Sequence, residues 1–277
     1  MRRPDAIKER IGHVEQISGV VVAMRAIAAA HVQEARRHLD AIRAQEQTVA
    51  RAMADALSLL PGAPHTQAGA EGAEHLHIVL GAAQGFCGAY NERVVESVLG
   101  QGGAPEGDRF LLIGQRCVSA FESRGVTPVW SANMAFHPPE VPALASRVVD
   151  AVFRLLGGGR FARVSILHGD PDSVRHGLTM RQLMPFDFRR FERRSLPDAP
   201  MTTLPLARLV SNLVEEYVFT EICEALMLGF AAENDARVRS MTRARGAIRA
   251  IRDELRGDYA RARQAQTTTE IIELSVE

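Results

Sequence analysis

Cysteine, tryptophan and net charge are scarce in this 277-residue sequence. The three cysteines, Cys87, Cys117 and Cys223, lie far apart, and no C-x-x-C pair occurs. This spacing supports neither a disulfide framework nor a cysteine-based zinc site, and it predicts a reducing compartment. The 33 basic residues balance 33 acidic ones. The chain as a whole therefore has no excess charge to attract nucleic acid or a membrane surface.

Long apolar runs are also absent. No uncharged apolar run approaches the ~20 residues that are needed to span a bilayer. The N-terminal residues, MRRPDAIKER, are charged where a signal peptide would carry an apolar region. We therefore expect no membrane-spanning segment and no signal peptide, and any membrane association would depend on another protein.

A seven-residue apolar repeat dominates the N-terminal segment of residues 1–60. It runs through residues 5–60, and neither proline nor another stop signal interrupts it before Pro61-Gly62. Such a repeat is typical of a coiled-coil seam, and its many alanines allow a partner helix to approach closely. The sequence predicts one helix roughly 80 Å long. The repeat comprises Ile7, Val14, Val21, Ala28, Ala35, Ile42, Val49 and Ala56, beside a less regular row of Ile11, Ile17, Met24, Val32, Leu39 and Met53.

The middle of the chain alternates between strand and helix patterns. Residues 61–74 are rich in glycine, alanine and proline without a period, which predicts a linker. Residues 75–200 are predicted to form an α/β domain with a largely parallel, Rossmann-like sheet. The predicted strands are residues 75–80, 109–113, 126–130 and 161–167, with a last antiparallel strand at 179–188, and the predicted helices are 91–99, 118–123 and 139–156.

A second long helix is predicted within the C-terminal segment of residues 201–277. It covers residues 204–263, its apolar seam changes phase near Leu228-Gly229, and a polar tail follows from Gln264. Two long helices with one seam each most simply pair antiparallel, so we expect a coiled-coil rod with the α/β domain inserted between its helices. The seam includes Leu209, Leu213, Tyr217, Leu226, Phe230, Met241, Ala244, Ile248, Ile251, Leu255 and Ala262.

Two motifs could carry chemistry, and each has a simpler structural interpretation. Gly85-x-x-Gly88 follows a predicted strand but fits neither G-x-G-x-x-G nor G-K-[ST], which favours a tight turn over a phosphate cradle. His75-x-His77 lies on one face of a strand, but no third metal ligand is evident. Serine, histidine and aspartate show no nucleophile elbow, and no carboxylates are paired for acid–base work. The sequence therefore predicts no catalytic residue, no cofactor-binding residue and no metal ligand.

Arginine is concentrated in two places. The doublets at residues 189–190 and 193–194 resemble a nucleic-acid patch, but a neutral chain favours a solvated surface or a partner contact. Residues 237–252 contain six arginines and no acid, which indicates either a solvated face or a contact with an acidic partner. We call these six the arginine collar: Arg237, Arg239, Arg243, Arg245, Arg249 and Arg252.

Four stretches of the chain, in order, resemble the gamma subunit of rotary ATP synthases. Residues 23–30, AMRAIAAA, resemble that family's alanine-rich run, and residues 85–91, GFCGAYN, resemble its G-L-C-G-G-x-N motif. Residues 232–237, AENDAR, and 259–265, YARARQA, resemble its two C-terminal signatures. The resemblance extends from about residue 5 to residue 274, and it implies a long antiparallel coiled coil with an inserted α/β domain.

The sequence also departs from the family pattern. The family's I-T-K-A-M is here V-V-V-A-M at residues 20–24, and its Asp-Arg before the G-L-C-G motif is Ala83-Gln84. Residues 201–206 lack the family's Tyr…Glu-Pro segment near the membrane ring. These differences make the chain similar to the divergent, second-operon enzymes of some bacteria, including sodium-pumping ones.

The resemblance implies a central rotor shaft without an active site of its own. Such a shaft would turn inside a ring of three alpha and three beta subunits, with the epsilon subunit and the ring of c subunits at its body. It would be a peripheral protein on the cytoplasmic side of a bacterial membrane, and the choice of coupling ion would be made in the c ring. Two alternatives stay open on the residues alone, namely a soluble α/β enzyme that dimerises through its terminal helices and a coiled-coil scaffold.

The resemblance also implies which residues contact the stator. Arg237 and Glu270 would do so through charge, and Gln264 and Thr268 through hydrogen bonds. Met24 would face a crowded point, where the size and charge of a side chain matter.

Overall fold

The structure is a computed structural model that describes residues 4–60, 74–100, 102–159, 161–173, 177–192 and 201–276, with side chains as far as residue 272. Residues 61–73 of the predicted linker and the arginine doublet at 193–194 lie outside the described residues. The elements in chain order are α1 (Pro4–Ser58), β1 (Glu74–Leu80), α2 (Tyr90–Leu99), β2 (Asp108–Ile113), α3 (Gln115–Glu122), β3 (Trp130–Ala132), α4 (Val141–Leu156), β4 (Phe161–Gly169), β5 (Leu178–Met184) and α5 (Leu206–Val276).

The five strands form one mixed sheet in the order β3-β2-β1-β4-β5. The first four strands are parallel, and β5 is antiparallel to β4. The α/β prediction and the antiparallel last strand are therefore confirmed. The strand predicted at residues 126–130 was wrong, because the amide N–H of Val126 instead donates to the Phe121 carbonyl at the end of α3 (3.1 Å). The strand at this edge begins at Trp130 and pairs with Leu111 to Ile113 of β2.

The chain divides into two compact units, and both α1 and α5 contribute to each. The first unit contains the described residues up to Ala30 and those from Arg237 onward, and the second contains residues 31–236. In the second unit the two helices pair antiparallel, since Arg43 bonds to Glu224 (3.0 Å) whereas Gln45 bonds to Glu216 (2.9 Å). In the first unit Glu15 of α1 forms an ion pair with Arg256 of α5 (3.0 Å).

The middle of α5 is buried on every side. All residues from 220 to 234 are buried within the second unit. Phe230 contacts the His31 ring of α1 (5.5 Å between ring centroids), whereas Gly229 lies near Leu80 of β1. At the end of β4, a Cβ on Gly169 would lie only 2.4 Å from the Cβ of Ala232, so the strand and the helix can approach this closely only with glycine. The phase change of the seam reflects a helix that lies between α1 and the sheet.

Two long-helix predictions need correction. The tail predicted to follow residue 263 is helical, and α5 continues without a break to Val276. Three threonines there donate to the carbonyl four residues earlier, as Thr268 does to Gln264 (2.9 Å), so their hydroxyls are satisfied within the helix. Ile17 and Ile251, which were predicted to line the seam, are 54% and 47% exposed.

Among the described residues, no helix has both the length and the apolar character needed to cross a membrane.

Candidate functional site

The buried seam of the first unit is narrow. Ile7, Val21 and Ala28 of α1 are buried, as are Met241 and Leu255 of α5. Most other side chains of these helix segments are exposed or half-buried. The coiled coil therefore leaves much of its surface uncovered by its own chain.

An apolar stripe lies on the exposed surface of α1. Ile17, Val20 and Ile27 are 54%, 59% and 58% exposed, and their spacing of three and seven residues places them on one face of the helix. Met24, half-buried, lies among them on the same face. We call these four residues the α1 stripe. Contiguous exposed apolar side chains are typical of a surface that another protein covers.

Three of the residues that the resemblance selects are exposed near the end of α5. They are Gln264, Thr268 and Glu270. Gln264 and Thr268 lie one turn apart and, with Arg263, line a shallow open groove. Glu270 accepts a hydrogen bond from the Nε2 of Gln266 (2.8 Å). These side chains offer amide, hydroxyl and carboxylate groups at a surface that a partner can reach.

Arg237 differs from the rest of this set because only 6% of its surface is exposed. Its neighbours in the arginine collar vary, since Arg243, Arg245 and Arg249 are exposed, whereas Arg252 is half-buried and bonds to the adjacent Asp253 (3.1 Å). The sequence pattern predicted that these arginines face either solvent or an acidic partner. The structure instead places the matched arginine inside the chain and leaves unmatched arginines at its surface.

The loop after β1 is held by a carboxylate from α5. Glu233, which is 4% exposed, accepts hydrogen bonds from the backbone N–H groups of Ala83 (3.0 Å) and Gln84 (3.2 Å). The thiol of Cys87 donates to the carbonyl of Gly85 (3.4 Å). Backbone amides that could receive a phosphate are thus bonded to an anion of the chain itself. This arrangement favours the predicted tight turn over a phosphate cradle.

The arginine doublet at residues 189–190 is bonded within the chain. Arg189 pairs with Asp187 (2.9 Å), and Arg190 pairs with the buried Glu221 (2.8 Å) and lies over the ring of Tyr217 (5.3 Å from its centroid). Burial raises the pKa of the Glu221 carboxyl above its ordinary value, against the opposing effect of Arg190. These bonds account for the doublet without a nucleic acid.

The two histidines of the His75-x-His77 motif meet a third side chain from the neighbouring strand. Asp108, at the start of β2, is the register partner of His75, and its Oδ2 lies 2.9 Å from the Nε2 of His77. Burial, together with the neighbouring His77, lowers the pKa of His75 to about 4. Asp108 was not among the predicted ligands, although parallel pairing of two predicted strands whose N-terminal ends align would have indicated it.

The chain matches an ATP synthase family profile over residues 4–275. It is 25% identical to the ATP synthase gamma chain of Erythrobacter litoralis over 282 residues, which cover 97% of this chain and 96% of that relative. The gamma chain of Maricaulis maris is also 25% identical, over 283 residues with the same coverage. This chain belongs to the ATP synthase gamma family. As a gamma subunit it is a non-catalytic, central-stalk component of a rotary ATP synthase, and the enzyme and scaffold alternatives are excluded.

Solved structures of mitochondrial ATP synthases contain chains with the same fold. The rotor of the Euglena gracilis mitochondrial ATP synthase contains a chain that matches 95% of the gamma subunit described here, with a TM-score of 0.67 and 14% identity. A chain from the central stalk and c ring of the Tetrahymena thermophila enzyme matches 81% of it, with a TM-score of 0.54 and 16% identity. The predicted antiparallel coiled coil with an inserted α/β domain is confirmed by this likeness.

Proposed function

We propose that the first unit of this gamma subunit is the part that transmits torque to the alpha and beta subunits. The α1 stripe carries this proposal, because Ile17, Val20 and Ile27 are more than half exposed on one face. An exposed apolar stripe would lose water when a ring of three alpha and three beta subunits surrounds it. A shaft whose faces differ would contact each beta subunit differently, and such differential contact energy is what shifts a conformational equilibrium.

Five residues form the proposed stator contacts, namely Met24, Arg237, Gln264, Thr268 and Glu270. Met24 lies within the α1 stripe, where a neighbour would constrain its size. Gln264, Thr268 and Glu270 are exposed and carry polar groups that a stator loop can reach. For Arg237, burial within the chain means that any effect on coupling would act through the packing of α5 as well as through charge.

The rest of the chain would connect the shaft to the membrane ring. In this proposal residues 1–60 and 201–277 supply the shaft, residues 61–74 form a linker, and residues 75–200 form the body. The body would contact the epsilon subunit, as the family resemblance implies, and the ring of c subunits, which accompanies the similar central-stalk chain of the Tetrahymena thermophila enzyme. The complex would lie at the cytoplasmic face of a bacterial membrane, with this subunit held peripherally.

A pair of substitutions at Val20 tests the role of the stripe. Val20→Lys should lower ATP-driven ion pumping several-fold in the reconstituted complex, whereas Val20→Leu should retain it, since only the former places a charge in the proposed interface. Because Val20 is 59% exposed, neither change should alter the unfolding midpoint of the isolated chain. Wild-type pumping by the Val20→Lys complex, at equal subunit content, would contradict the proposal.

A second pair of variants tests Arg237 against the exposed Arg243 of the same collar. Arg237→Ala should lower ion pumping while the complex still assembles, and Arg243→Ala should affect it less. The unfolding midpoint of each isolated variant is measured alongside. If Arg237→Ala lowers this midpoint and abolishes assembly, Arg237 is structural and its role in coupling is removed.

A further inference from the structure

Three potential metal ligands converge at the beginning of β1 and β2, within the second unit. One ring nitrogen of His75, one of His77 and one carboxylate oxygen of Asp108 all lie within 4.8 Å of one another. The two imidazole rings lie side by side, with their centroids 3.8 Å apart. The side chains share a face of the sheet because His77 follows His75 by two residues and Asp108 is the register partner of His75. Among the described residues, no other group of three such side chains comes this close.

The hydrogen bonds of this cluster leave a ring nitrogen without a partner. The Nε2 of His77 is bonded to Asp108, but its Nδ1 is buried and has no hydrogen-bond partner in the described part of the chain. His77 is only 7% exposed, and its ring stacks on Phe110 (5.5 Å between centroids). Because Asp108 lies on the Nε2 side of this ring, a cation shared with Asp108 would bind Nε2, while Nδ1 would carry the ring proton.

Neighbouring groups suit a bound cation. The Nε2 of His75 lies 2.7 Å from the hydroxyl of Ser165 on β4, a contact of the kind that orients a ligating histidine from outside the metal shell. The basic neighbour Arg163, the register partner of His75 on β4, is exposed, so water screens its charge.

We propose that His75, His77 and Asp108 bind one zinc ion that joins β1 to β2. Two imidazoles and one carboxylate favour zinc and similar transition metals over calcium or magnesium, which prefer sites made only of oxygen ligands. Three protein ligands leave a fourth, tetrahedral position for water. The ion would hold the beginnings of two central strands together, a stabilising role separate from torque transmission by the first unit.

Zinc titration of the full-length chain tests this site. The chain is prepared without an affinity tag, dialysed against a chelator and titrated with ZnCl₂ by calorimetry. We expect about one zinc ion per chain and a rise in the unfolding midpoint when zinc is present, since a ligand that binds only the native state stabilises it. Absence of zinc binding by the folded chain would overturn the proposal.

Matched variants assign the binding to these residues. Asp108→Asn preserves the shape of the side chain and a hydrogen-bonding group for His77 but removes the anionic ligand, and it should weaken zinc binding at least tenfold, as should His77→Asn. His137→Asn changes a histidine that lies near His31 (5.9 Å between ring centroids) and should leave binding unchanged. If Asp108→Asn does not fold, the half-buried His75 is replaced by glutamine instead. Equal zinc affinity in the wild type and in the folded ligand variants would overturn the assignment.

Discussion

Glu233 shows how one buried carboxylate can organise a loop. Its two oxygens accept the backbone N–H groups of Ala83 and Gln84, so α5 holds the turn that follows β1. Charged acceptors form stronger hydrogen bonds than neutral ones, and removing Glu233 would leave both backbone donors without this acceptor. The loop and the helix are therefore coupled through a single side chain.

Replacement of Glu233 should measure that coupling. Glu233→Ala should lower the free energy of unfolding by about 1–3 kcal/mol, because two backbone donors lose their acceptor. Glu233→Gln keeps one carbonyl acceptor and should cost less. Urea unfolding of the isolated chain checks both values, with the exposed Glu270→Ala as the control. A Glu233→Ala chain as stable as the control would refute this account of the loop.

Glu224 should make stability depend on pH. Burial alone would raise the pKa of its carboxyl, but hydrogen bonds from Arg181 (2.6 Å) and Arg43 (3.0 Å) hold that pKa below its ordinary value. A carboxyl with a lowered pKa stabilises the fold above its unfolded pKa, and this contribution is lost as the pH falls through the folded pKa. Glu224→Gln should therefore cost about 1–2 kcal/mol at pH 7, and the difference from wild type should shrink below about pH 4.5.

Glu221 is the control for Glu224, because its pKa is shifted in the opposite direction. Burial raises its pKa, so wild type loses stability as the pH rises through that raised value. The stability of wild type relative to Glu221→Gln should therefore increase toward acid. Thermal unfolding at a series of pH values measures both variants, and parallel pH profiles for the two would show that their environments do not differ as described.

At the scale of single elements, the apolar seam of α1 depends on small side chains. Ala28 and Ala35 are 1% and 0% exposed, which leaves no space for a larger residue without moving the partner helix. Ala28→Glu should lower the free energy of unfolding by about 2–4 kcal/mol, because it buries a charge in an apolar contact. Ala29→Glu, at the adjacent exposed position, is the matched control and should cost much less. Equal unfolding midpoints for the two variants would mean that α1 is not paired through this seam.

The seven-residue repeat predicted α1 because apolar residues at this spacing fall on one face of a helix, and that face is the one that is buried. Six of its eight positions, including Ile7 and Ala56, are buried, and the other two are half-buried. Ile17 and Ile251 were misplaced for a physical reason, since apolar residues on a helix can face a partner subunit as readily as the chain's own core. Periodicity within one chain does not distinguish these two kinds of contact.

The candidate site was only partly predictable for a similar reason. The exposure of Gln264 and Thr268 follows from a polar tail, but the burial of Arg237 does not follow from a run of arginines. Arg237 lies three residues beyond the stretch of residues 220–234 that is buried on all sides, whereas Arg243, Arg245 and Arg249 are exposed. Asp108 joins His75 only through the register of β1 and β2, which depends on pairing between segments more than 30 residues apart.

The whole molecule should neither bind nor hydrolyse ATP by itself. The sequence has no G-K-[ST] phosphate-binding motif, since its one lysine is Lys8, and Glu233 occupies the amides after β1. Calorimetry of the isolated chain with Mg-ATP should therefore show no specific heat of binding, whereas the assembled complex, with its alpha and beta subunits, should bind. Saturable, micromolar ATP binding by the isolated chain would contradict this prediction.

The pairing of α1 with α5 has a consequence during protein synthesis. Arg43 and its partner Glu224 are 181 residues apart, so the ribosome makes α1 long before the helix that covers it. At typical translation rates of about 5–20 residues per second, the α1 seam stays unpaired for roughly 10–35 s. An apolar surface exposed for that time is a binding site for nascent-chain chaperones. The alanines that permit close helix packing also weaken the binding of chaperones to the unpaired α1 seam. A leucine seam would bind more strongly, because each leucine buries more apolar area than an alanine.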